Sequence, residues 1–386
     1  MAGTRRQIQT GTSRHMAKKI KLAQVICGTD VAGAKGYTID LAKLANPDKF
    51  EVWHIHPLEG MTTREAREAG IEPFVTRQNP FQIAKLIRRL DLDLIHTHGV
   101  RANFTGRIAA RMAGIPSICT MHSDSRLDYD SRLKERMVWF ADNLLNRWAD
   151  AFIGVSDDMS EKLATRGIPR NKIHTVRNGI NLSAVKPSLS PATIKRNLGI
   201  SDDIRLIGTV GRLVEVKGHD DLISALPRIL REVPNAGVVI VGDGRCMEPL
   251  RRQAEELRIS DRVFLLGRIT PPFDIMSACE VGVFPSLAEA IGLAMLEFMA
   301  LMIPIVATDV CGIPEVINGE DVGILTPPKD PTNLADNIIR VLKDKQLSKM
   351  LSENGRKRVE EEFTTEHMVR QTEKIWEQYA RRRHNN

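Results

Sequence analysis

A short apolar run that leads into an apolar segment of helical length constrains the fold of this chain more than any other feature. The run CEVGVFPS is typical of a buried strand that ends at Pro285, and the residues from there to Ala307 continue as a loop and a periodic apolar helix. The same order of strand, loop and helix begins at Ile20 and again at Ile204. This alternation predicts an α/β protein whose parallel sheets are covered by helices.

The length of the chain, 386 residues, exceeds what a single hydrophobic core usually serves, so we expect two domains. A proline-containing linker between Val185 and Ser190 marks the boundary. We therefore expect a first domain over residues 18–185 and a second over residues 190–360. A long, charged helix from Ser352 to Arg383 closes the chain.

The positive charge of the chain is concentrated in its first half. Up to Lys186 there are 29 Lys and Arg against 19 Asp and Glu, a net +10, which leaves 26 against 29, a net −3, for the remainder. An anionic partner of the first domain is expected, either a membrane surface or a phosphate-bearing acceptor. Nucleic acid is not expected, because only three Tyr and four Trp are available for base stacking and no basic run exceeds three residues.

Targeting and cysteine signals are weak. The chain has no apolar run of about 18 residues that would predict a membrane-spanning helix, and its start lacks an apolar signal-peptide core. Five scattered cysteines indicate neither a disulfide framework nor a zinc site. We expect a cytoplasmic protein in a reducing compartment, with peripheral membrane contact as an alternative; whether the first 16 residues are native stays open.

Two glutamates flank the start of the apolar helix. Glu289 lies in the preceding loop, and Glu297 is expected about two turns inside the helix. An unpaired carboxylate is costly among such apolar neighbours, so each needs a partner from the protein or a ligand. Free backbone N–H groups at Ala290, Ile291 and Gly292 would favour an anion there. The structural alternative is one glutamate that caps the helix and a second that pairs with a buried arginine.

A pair of cations on one short loop is the second strong signal. Arg212 and Lys217 follow a predicted strand in GRLVEVKGHDDLI, beside Gly211 and Gly218. Two cations on a short loop suit the binding of an anionic ligand. Surface cations on an ordinary turn are the alternative.

The first half of the chain offers a glycine-containing loop and several histidines. Gly33 and Lys35 follow the first strand, but their spacing does not match the dinucleotide fingerprint. His98 ends another predicted strand, where it would face the ligand crevice of a parallel sheet. His122 follows the strand Ser117 to Met121, either as a site residue or as a loop histidine that caps the next helix.

Taken together, these segments resemble glycosyltransferase family 4, the retaining nucleotide-sugar glycosyltransferases of the GT-B fold. The resemblance covers residues 18–380 and is strongest over residues 208–317. Its signature is a Glu, seven residues, Glu, which Glu289 and Glu297 match, followed by MALMIPIVATDVCGIPEVI. The family implies two facing Rossmann-like domains and a C-terminal helix, residues 361–384, that crosses back to the first domain.

The resemblance also implies roles for individual residues. It places Glu297 on the ribose, Arg212 and Lys217 on the diphosphate, and Glu289 and His122 at the donor sugar. Other residues at matching donor-binding or acceptor-side positions are Gly33, Gly211, Arg268, Ile269, Ala290, Ile291, Gly292 and Leu293. No metal and no cofactor is implied, since the nucleotide sugar, a UDP-sugar on this view, is a co-substrate.

The implied reaction is retaining transfer of a hexose or N-acetylhexosamine to a glycan or lipid-linked acceptor in bacterial cell-surface polysaccharide or lipopolysaccharide assembly. Three rivals stay open at this point. A nucleotide-sugar epimerase of the same fold would bind similar ligands, a nicotinamide-dependent dehydrogenase would need dinucleotide glycines that the chain lacks, and a basic nucleic-acid-binding protein would show salt-sensitive affinity.

Overall fold

The computed structural model describes residues 18–26, 32–122 and 145–384, with the backbone alone for residues 32–35, 100 and 381–384. Within these ranges the chain builds two parallel β-sheets, one from each half. Every strand pairing within the two sheets is parallel, as the alternation of strand, loop and helix predicts. The α/β prediction is confirmed.

The first sheet has seven strands in the order β3-β2-β1-β4-β5-β6-β7. Its strands are β1 Ile20–Ile26, β2 Phe50–His56, β3 Pro73–Val75, β4 Leu94–His98, β5 Ser117–Met121, β6 Ala151–Gly154 and β7 Ile173–Thr175. The helices among the described residues of this half are Ala32–Leu44, Met61–Glu68, Pro80–Leu90, Val100–Ala113 and Asp157–Thr165, with a 3₁₀ turn at Arg170–Lys172.

The second sheet has six strands in the order β10-β9-β8-β11-β12-β13. They are β8 Arg205–Val210, β9 Ala236–Val241, β10 Val263–Leu265, β11 Cys279–Phe284, β12 Ile305–Thr308 and β13 Ile324–Thr326. The helices are Pro191–Asn197, His219–Glu232, Met247–Glu256, Phe273–Ser277, Leu293–Ala300, Ile313–Val316, Pro331–Lys343, Lys345–Glu362 and Thr365–His384, with 3₁₀ turns at Glu215–Lys217 and Ser260–Arg262.

The two faces of the first sheet differ in chemistry. One face is apolar and packs through Ala23, Val25 and Ile95 against the helices Pro80–Leu90 and Val100–Ala113. Because side chains alternate along a strand, the residues between them point the other way. That second face carries Leu22 and Leu94 near the start of the strands and histidines toward their carboxyl ends.

The last helix, Thr365–His384, covers this second face, so the predicted return of the C-terminal helix to the first domain is confirmed. Its side chains Trp376 and Tyr379 are buried with Leu22, Leu94 and Ile118 of the first sheet. The resulting cluster joins the end of the chain to the first sheet. The domain boundaries at residues 185, 190 and 360 stay a prediction.

The expectation of a single long helix from Ser352 to Arg383 is wrong. Two helices, Lys345–Glu362 and Thr365–His384, are separated by Phe363 and Thr364. Thr364 forms a parallel bridge with Ile180, Ile180 N–H donates to Phe363 O at 2.9 Å, and Thr365 N–H donates to Ile180 O at 3.0 Å. These non-local hydrogen bonds replace helical ones. They fix the point at which the chain crosses from the second half to the first.

Candidate active site

The candidate site lies at the carboxyl edge of the second sheet, between β8 and β11. These neighbouring strands mark the point where the strand order reverses, since β9 and β10 lie on one side and β12 and β13 on the other. Ligands of open parallel sheets bind in the crevice that such a reversal leaves at the carboxyl ends of the strands. Lys217 follows β8 and Glu289 follows β11, so the sequence places one charged group on each side of that crevice.

Lys217 and Glu289 form an ion pair across this crevice. Their side chains are 18% and 19% exposed, so the pair is largely withdrawn from solvent. The loops that carry them are joined by a backbone hydrogen bond from Leu287 N–H to Val216 O at 2.8 Å. A Cβ on Gly218 would lie 2.0 Å from Pro285 O, and Gly218 has φ +62°, so only glycine fits where the two loops meet. The structure therefore brings Lys217 and Glu289 together.

The helix after Glu289 begins later than expected. Gly292 is its N-cap, with φ 77°, and the helix runs from Leu293 to Ala300. Ala290 and Ile291 therefore lie in the loop, and Glu297 lies little more than one turn inside the helix rather than two. The left-handed backbone at Gly292 explains the difference, because it stops the helix from extending toward Glu289.

Glu297 carries the most perturbed carboxyl group of this region. It is half-buried among Met295, Leu296 and Phe298, and burial raises its pKa to about 7. No hydrogen bond or ion pair to its carboxylate occurs in the part of the chain that the structure describes. The alternative in which Glu297 pairs with a buried arginine is therefore not what the structure has, and a ligand remains the partner expected for it.

Arg212 and Arg268 lie on the rim of the same edge. Gly211 N–H donates to Val241 O at 3.0 Å and Gly242 N–H donates to Gly267 O at 2.9 Å, so the loops after β8, β9 and β10 are linked side by side. Arg212 and Arg268 are both exposed, and Ile269 is partly buried against the core of this half. Nothing lies within 4 Å of a Cβ built on Gly211, which leaves open space beside the Arg212 backbone.

The loop of Ala290 is held by close backbone packing. A Cβ on Gly312 would lie 1.6 Å from Ala290 O and 3.2 Å from Cβ of Ser156, and Gly312 N–H donates to Glu289 O at 3.0 Å. Ser156 belongs to the first half of the chain, where it caps the helix Asp157–Thr165. Gly312 thus lies between the Glu289 loop of the second domain and Ser156 of the first.

His122 lies at the carboxyl end of β5 in the first sheet. Its Nε2 lies 3.2 Å from Nδ1 of His98, and the ring of Tyr37 packs edge-on against it with centroids 4.9 Å apart. Burial lowers the pKa of His122 to about 4, so the ring is neutral at pH 7. Its Nδ1 has no hydrogen-bond partner among the described residues. A neutral ring with a free nitrogen suits hydrogen bonding to a ligand.

One predicted feature lies outside the described residues, and another is described by its backbone alone. The glycine-containing loop after β1 falls in residues 27–31, of which the structure says nothing. Gly33 lies in the first turn of the helix Ala32–Leu44 rather than in a loop. Its role at an acceptor site stays a prediction.

Sequence reasoning missed two contacts of the site. It singled out His98 without linking it to His122, because their pairing depends on β4 and β5 being neighbours. It missed Glu315, whose carboxylate accepts hydrogen bonds from Asp157 N–H at 2.7 Å and Asp158 N–H at 2.8 Å across the two halves. The only signal for the second contact was the helix N-cap at Ser156, which leaves neighbouring N–H groups in need of acceptors.

No group of three or more His, Cys, Asp or Glu side chains in the described ranges is arranged to hold a metal ion. The expectation that no metal takes part stays a prediction. Among the described helices, none is long and apolar enough to cross a bilayer.

Two protein-family models match this chain. The model of "Glycosyltransferase Family 4" matches residues 33–184, and the model of "Glycosyl transferases group 1" matches residues 191–358. The two matches together span every strand of the two sheets except β1, and they include the Lys217–Glu289 pair. Fold and site therefore define a glycosyltransferase of the two-domain GT-B type. The chain belongs to glycosyltransferase family 4, as the sequence indicated.

Curated relatives of known activity support the same class. The chain is 29% identical over 300 residues to N-acetyl-alpha-D-glucosaminyl L-malate synthase of Bacillus anthracis, which covers 76% of this chain and 77% of that protein. It is 25% identical to the UDP-Gal:alpha-D-GlcNAc-diphosphoundecaprenol alpha-1,3-galactosyltransferase of Escherichia coli, over 94% of this chain and 97% of that one.

Among solved structures, the fold is similar to that of HepE from Anabaena in complex with UDP. The TM-score is 0.83 at 23% identity, over 93% of this chain and 100% of that one. The same protein in complex with UDP-glucose gives a TM-score of 0.82, also at 23% identity. At this identity the likeness concerns the fold alone, and it confirms the GT-B architecture.

Proposed function

We propose that this chain transfers a hexose or N-acetylhexosamine from a UDP-sugar to a glycan or lipid-linked acceptor, with retention of the anomeric configuration. The reaction would serve the assembly of bacterial cell-surface polysaccharide or lipopolysaccharide. One observation carries the donor side of this proposal: Lys217 and Glu289 meet across the crevice between β8 and β11. Glu297, whose carboxyl group has no partner among the described residues, lies about one turn inside the helix that follows Glu289.

The charges of the crevice suit a nucleoside diphosphate sugar. Lys217, with Arg212 exposed on the same loop, offers cations to the diphosphate. The backbone N–H groups of Gly292 and Leu293 at the start of the helix add further donors to an anion. Glu297 offers acceptors for the two ribose hydroxyls, and the backbone beside exposed Arg268 and Ile269 suits the nucleobase. Support for UDP comes from its presence in the HepE complexes and in the name of the E. coli relative.

The chemistry proposed is a front-face displacement. The bond from the anomeric carbon to the diphosphate oxygen breaks while the acceptor hydroxyl forms a new bond on the same face. The leaving phosphate oxygen takes the hydroxyl proton. Because the acceptor hydroxyl itself attacks the anomeric carbon, the protein supplies no nucleophile. Lys217 and Arg212 stabilise the charge that develops on the leaving group, which is the role a divalent cation has in other transferases. We therefore propose a reaction that needs neither metal nor cofactor.

The acceptor side of the proposal rests on the first domain and on relatives. Two relatives act on undecaprenol-linked substrates, the E. coli enzyme above and the N,N'-diacetylbacillosaminyl-diphospho-undecaprenol alpha-1,3-N-acetylgalactosaminyltransferase of Campylobacter jejuni. The latter is 28% identical over 84% of this chain and 91% of that one. A lipid-linked acceptor implies work at a membrane, and we propose the cytoplasmic face of the inner membrane.

A basic surface of the first domain suits peripheral contact with that membrane. The packed helices Pro80–Leu90 and Val100–Ala113 carry three Lys or Arg each and no Asp or Glu. Five of the six cations are exposed, and none of the five forms an ion pair with a carboxylate in the described ranges; they are Lys85, Arg88, Arg89, Arg101 and Arg111. Phe81 and Phe104 on the same helices are 69% and 39% exposed. Unpaired cations beside exposed aromatic rings are the composition that binds an anionic bilayer.

The donor side is tested by a screen for UDP release over nucleotide sugars. Lys217→Ala and Glu297→Ala should each reduce turnover at least about tenfold, which corresponds to about 1.4 kcal/mol of lost transition-state stabilisation. Lys343→Ala is the matched control, since Lys343 pairs with Glu232 on the surface of the same domain. The anomeric configuration of the transferred sugar, read by proton NMR, tests retention, and full activity in a chelator tests metal independence. Undiminished turnover in both site variants contradicts the proposal.

Membrane contact is tested with lipid vesicles that contain or lack anionic phosphatidylglycerol. The double variant Lys85→Glu with Arg111→Glu should lose at least about tenfold in affinity for anionic vesicles, because each cation near such a surface contributes about 1 kcal/mol. The double variant Lys349→Glu with Lys357→Glu makes the same change in net charge on the second domain and should bind as the parent does. Equal losses in both would mean that net charge alone matters, and no binding by the parent would contradict the contact.

A further inference from the structure

A network of buried histidines lies on the face of the first sheet that the last helix covers. His96 and His98 of β4 point to this face, in register with Gln24 and Ile26 of β1. β1 and β4 are the neighbours at which the strand order of the first sheet reverses. His98 therefore ends its strand at the crevice position of the first domain, which corresponds to the position where the loops of Lys217 and Glu289 begin in the second.

The proton of His96 can be assigned from its partners. Trp376 Nε1 lies 3.2 Å from His96 Nδ1, and an indole nitrogen only donates. His96 Nδ1 is therefore the acceptor, and its proton sits on Nε2, which lies 2.6 Å from the hydroxyl oxygen of Thr120. The last helix thus fixes the ring of His96, whose centroid lies 4.2 Å from that of His98.

His98 and His122 share one hydrogen bond. The nitrogens Nδ1 of His98 and Nε2 of His122 are 3.2 Å apart, and burial lowers the pKa of both rings far enough that both are neutral at pH 7. Each ring then has a single N–H, and one of the two lies between the rings. Of the outer nitrogens, His98 Nε2 and His122 Nδ1, one has a proton and the other is bare, and neither has a partner among the described residues.

Exposure of the two residues favours one of the two arrangements. Both outer nitrogens are buried and lack a partner among the described residues, so in either arrangement the outer proton needs a ligand as its acceptor. His98 is 1% exposed, whereas His122 is partly exposed at the end of its strand, so a ligand in the crevice reaches the His122 ring first. The outer proton is therefore assigned to His122. Tyr37, buried against both rings with centroids 4.9 and 5.6 Å away, limits their rotation.

We propose that His98 is a positioning residue for transfer: its Nδ1–H donates to Nε2 of His122, and this leaves His122 with its own N–H on Nδ1 as a neutral donor toward the substrate. The Nδ1–H form is the minor tautomer of a free histidine side chain, so the neighbour is needed to select it. The inference rests on the proposed function for its kinetic consequence, whereas the tautomer itself is a property of the protein alone.

The tautomer is measured by two-bond ¹H–¹⁵N correlation NMR of protein labelled with ¹⁵N-histidine, with signals assigned through single His→Phe variants. His122 and His98 should show the Nδ1–H form and His96 the Nε2–H form. His98→Phe, which keeps a ring of similar size without a donor, should return His122 to the Nε2–H form. His122 in the Nε2–H form in the parent protein overturns the proposal.

Kinetics provide the functional arm of the test. His98→Phe should lower kcat at least about tenfold and change KM for the nucleotide sugar by less than about threefold. His98→Asn should recover most of the loss, because its amide N–H lies near the position of the histidine Nδ1–H. The matched control is His56→Phe, which alters another buried histidine of the same face and should leave kcat within about twofold.

The outcomes separate this inference from the proposed function. If no nucleotide sugar supports transfer but His122 changes tautomer in His98→Phe, the proposed function fails and the positioning claim stands. If transfer is observed and folded His98→Phe keeps both kcat and the His122 spectrum, the positioning claim is overturned. Failure of a folded His98→Asn to recover activity also counts against it.

Discussion

Lys217 and Glu289 form an ion pair although 72 positions separate them in the sequence. Each belongs to the loop after one of two neighbouring strands, and a backbone hydrogen bond between Leu287 and Val216 joins the loops. Because less than a fifth of either side chain is exposed, solvent screens the pair only in part. An anionic ligand that binds Lys217 must therefore compete with the carboxylate of Glu289 or rearrange it.

Glu289→Gln should separate binding from transfer. The neutral amide competes less strongly for Lys217, so we expect affinity for UDP to rise by about threefold to tenfold, about 1 kcal/mol for a partly exposed pair. Sugar transfer should fall, because the proposed contact of Glu289 with the donor sugar loses its charge. Calorimetric titration with UDP measures the first effect. The control is Glu215→Gln, which removes the charge of an exposed ion pair with Arg245. Weaker UDP binding in Glu289→Gln than in the parent protein contradicts the argument.

Glu297 should make donor binding depend on pH near neutrality. Burial raises its pKa to about 7, and the ribose hydroxyls would donate to the ionised form. Below this pKa the carboxyl group of Glu297 must lose its proton before the ligand binds. Affinity for UDP should therefore fall up to about tenfold for each unit by which the pH decreases below about 7. Titrations from pH 5 to pH 8 measure the slope. In Glu297→Gln the slope should vanish, and an unchanged slope assigns the proton to another group.

The carboxyl group of Glu297 also makes the stability of the fold depend on pH. Stability should decrease as the pH rises, whereas affinity for UDP should increase. Its pKa is higher in the folded chain than the usual 4.5, so the folded state holds the proton more tightly than the unfolded state does. Stability from this group is full below about pH 4.5 and is lost as the pH rises through about 7. Glu297→Gln should therefore raise the Tm more at pH 8 than at pH 5, as measured by thermal unfolding of both proteins.

The sequence was sufficient for the features that depend on local pattern. Alternating strands and helices predicted the parallel sheets, and the apolar helix at Leu293–Ala300 was recognisable from its composition. The placement of Lys217 and Glu289 followed from two strand ends. The roles of Lys217 and Glu289 in donor binding came from the family resemblance. The contact between the two residues is consistent with those roles, which stay predictions.

Contacts that arise from strand order could not be predicted in this way. His98 meets His122 only because β4 and β5 are neighbours, and Trp376 meets His96 only because the last helix returns over the first sheet. The break at Phe363 and Thr364 was hidden for the same reason. The local sequence continues a helix there, whereas hydrogen bonds with Ile180 from the other half of the chain stop it.

Gly312→Ala should displace the loop that carries Glu289 and Ala290. The added Cβ would lie 1.6 Å from Ala290 O, so the backbone of Ala290 must move. We expect a loss of about 2–4 kcal/mol in the free energy of unfolding and weaker UDP binding. Gly36→Ala is the control, because nothing lies within 4 Å of its Cβ in the helix Ala32–Leu44, and it should stabilise the chain by about 0.5–1 kcal/mol. Gly312→Ala with parental Tm and UDP affinity contradicts this packing.

Glu315 should hold the two domains in register. Its carboxylate accepts two N–H groups at the start of the helix Asp157–Thr165 and lies 3.4 Å from Nε of Arg177, which also pairs with Asp157. Glu315→Ala leaves those helix donors without their acceptor, so we expect a loss of about 2 kcal/mol in the free energy of unfolding. Glu320→Ala removes an exposed carboxylate five residues further on and should change it by less than about 0.5 kcal/mol. A double-mutant cycle with Arg177→Ala isolates the pairwise contribution, and strict additivity would mean that Arg177 and Glu315 do not act together across the domain interface.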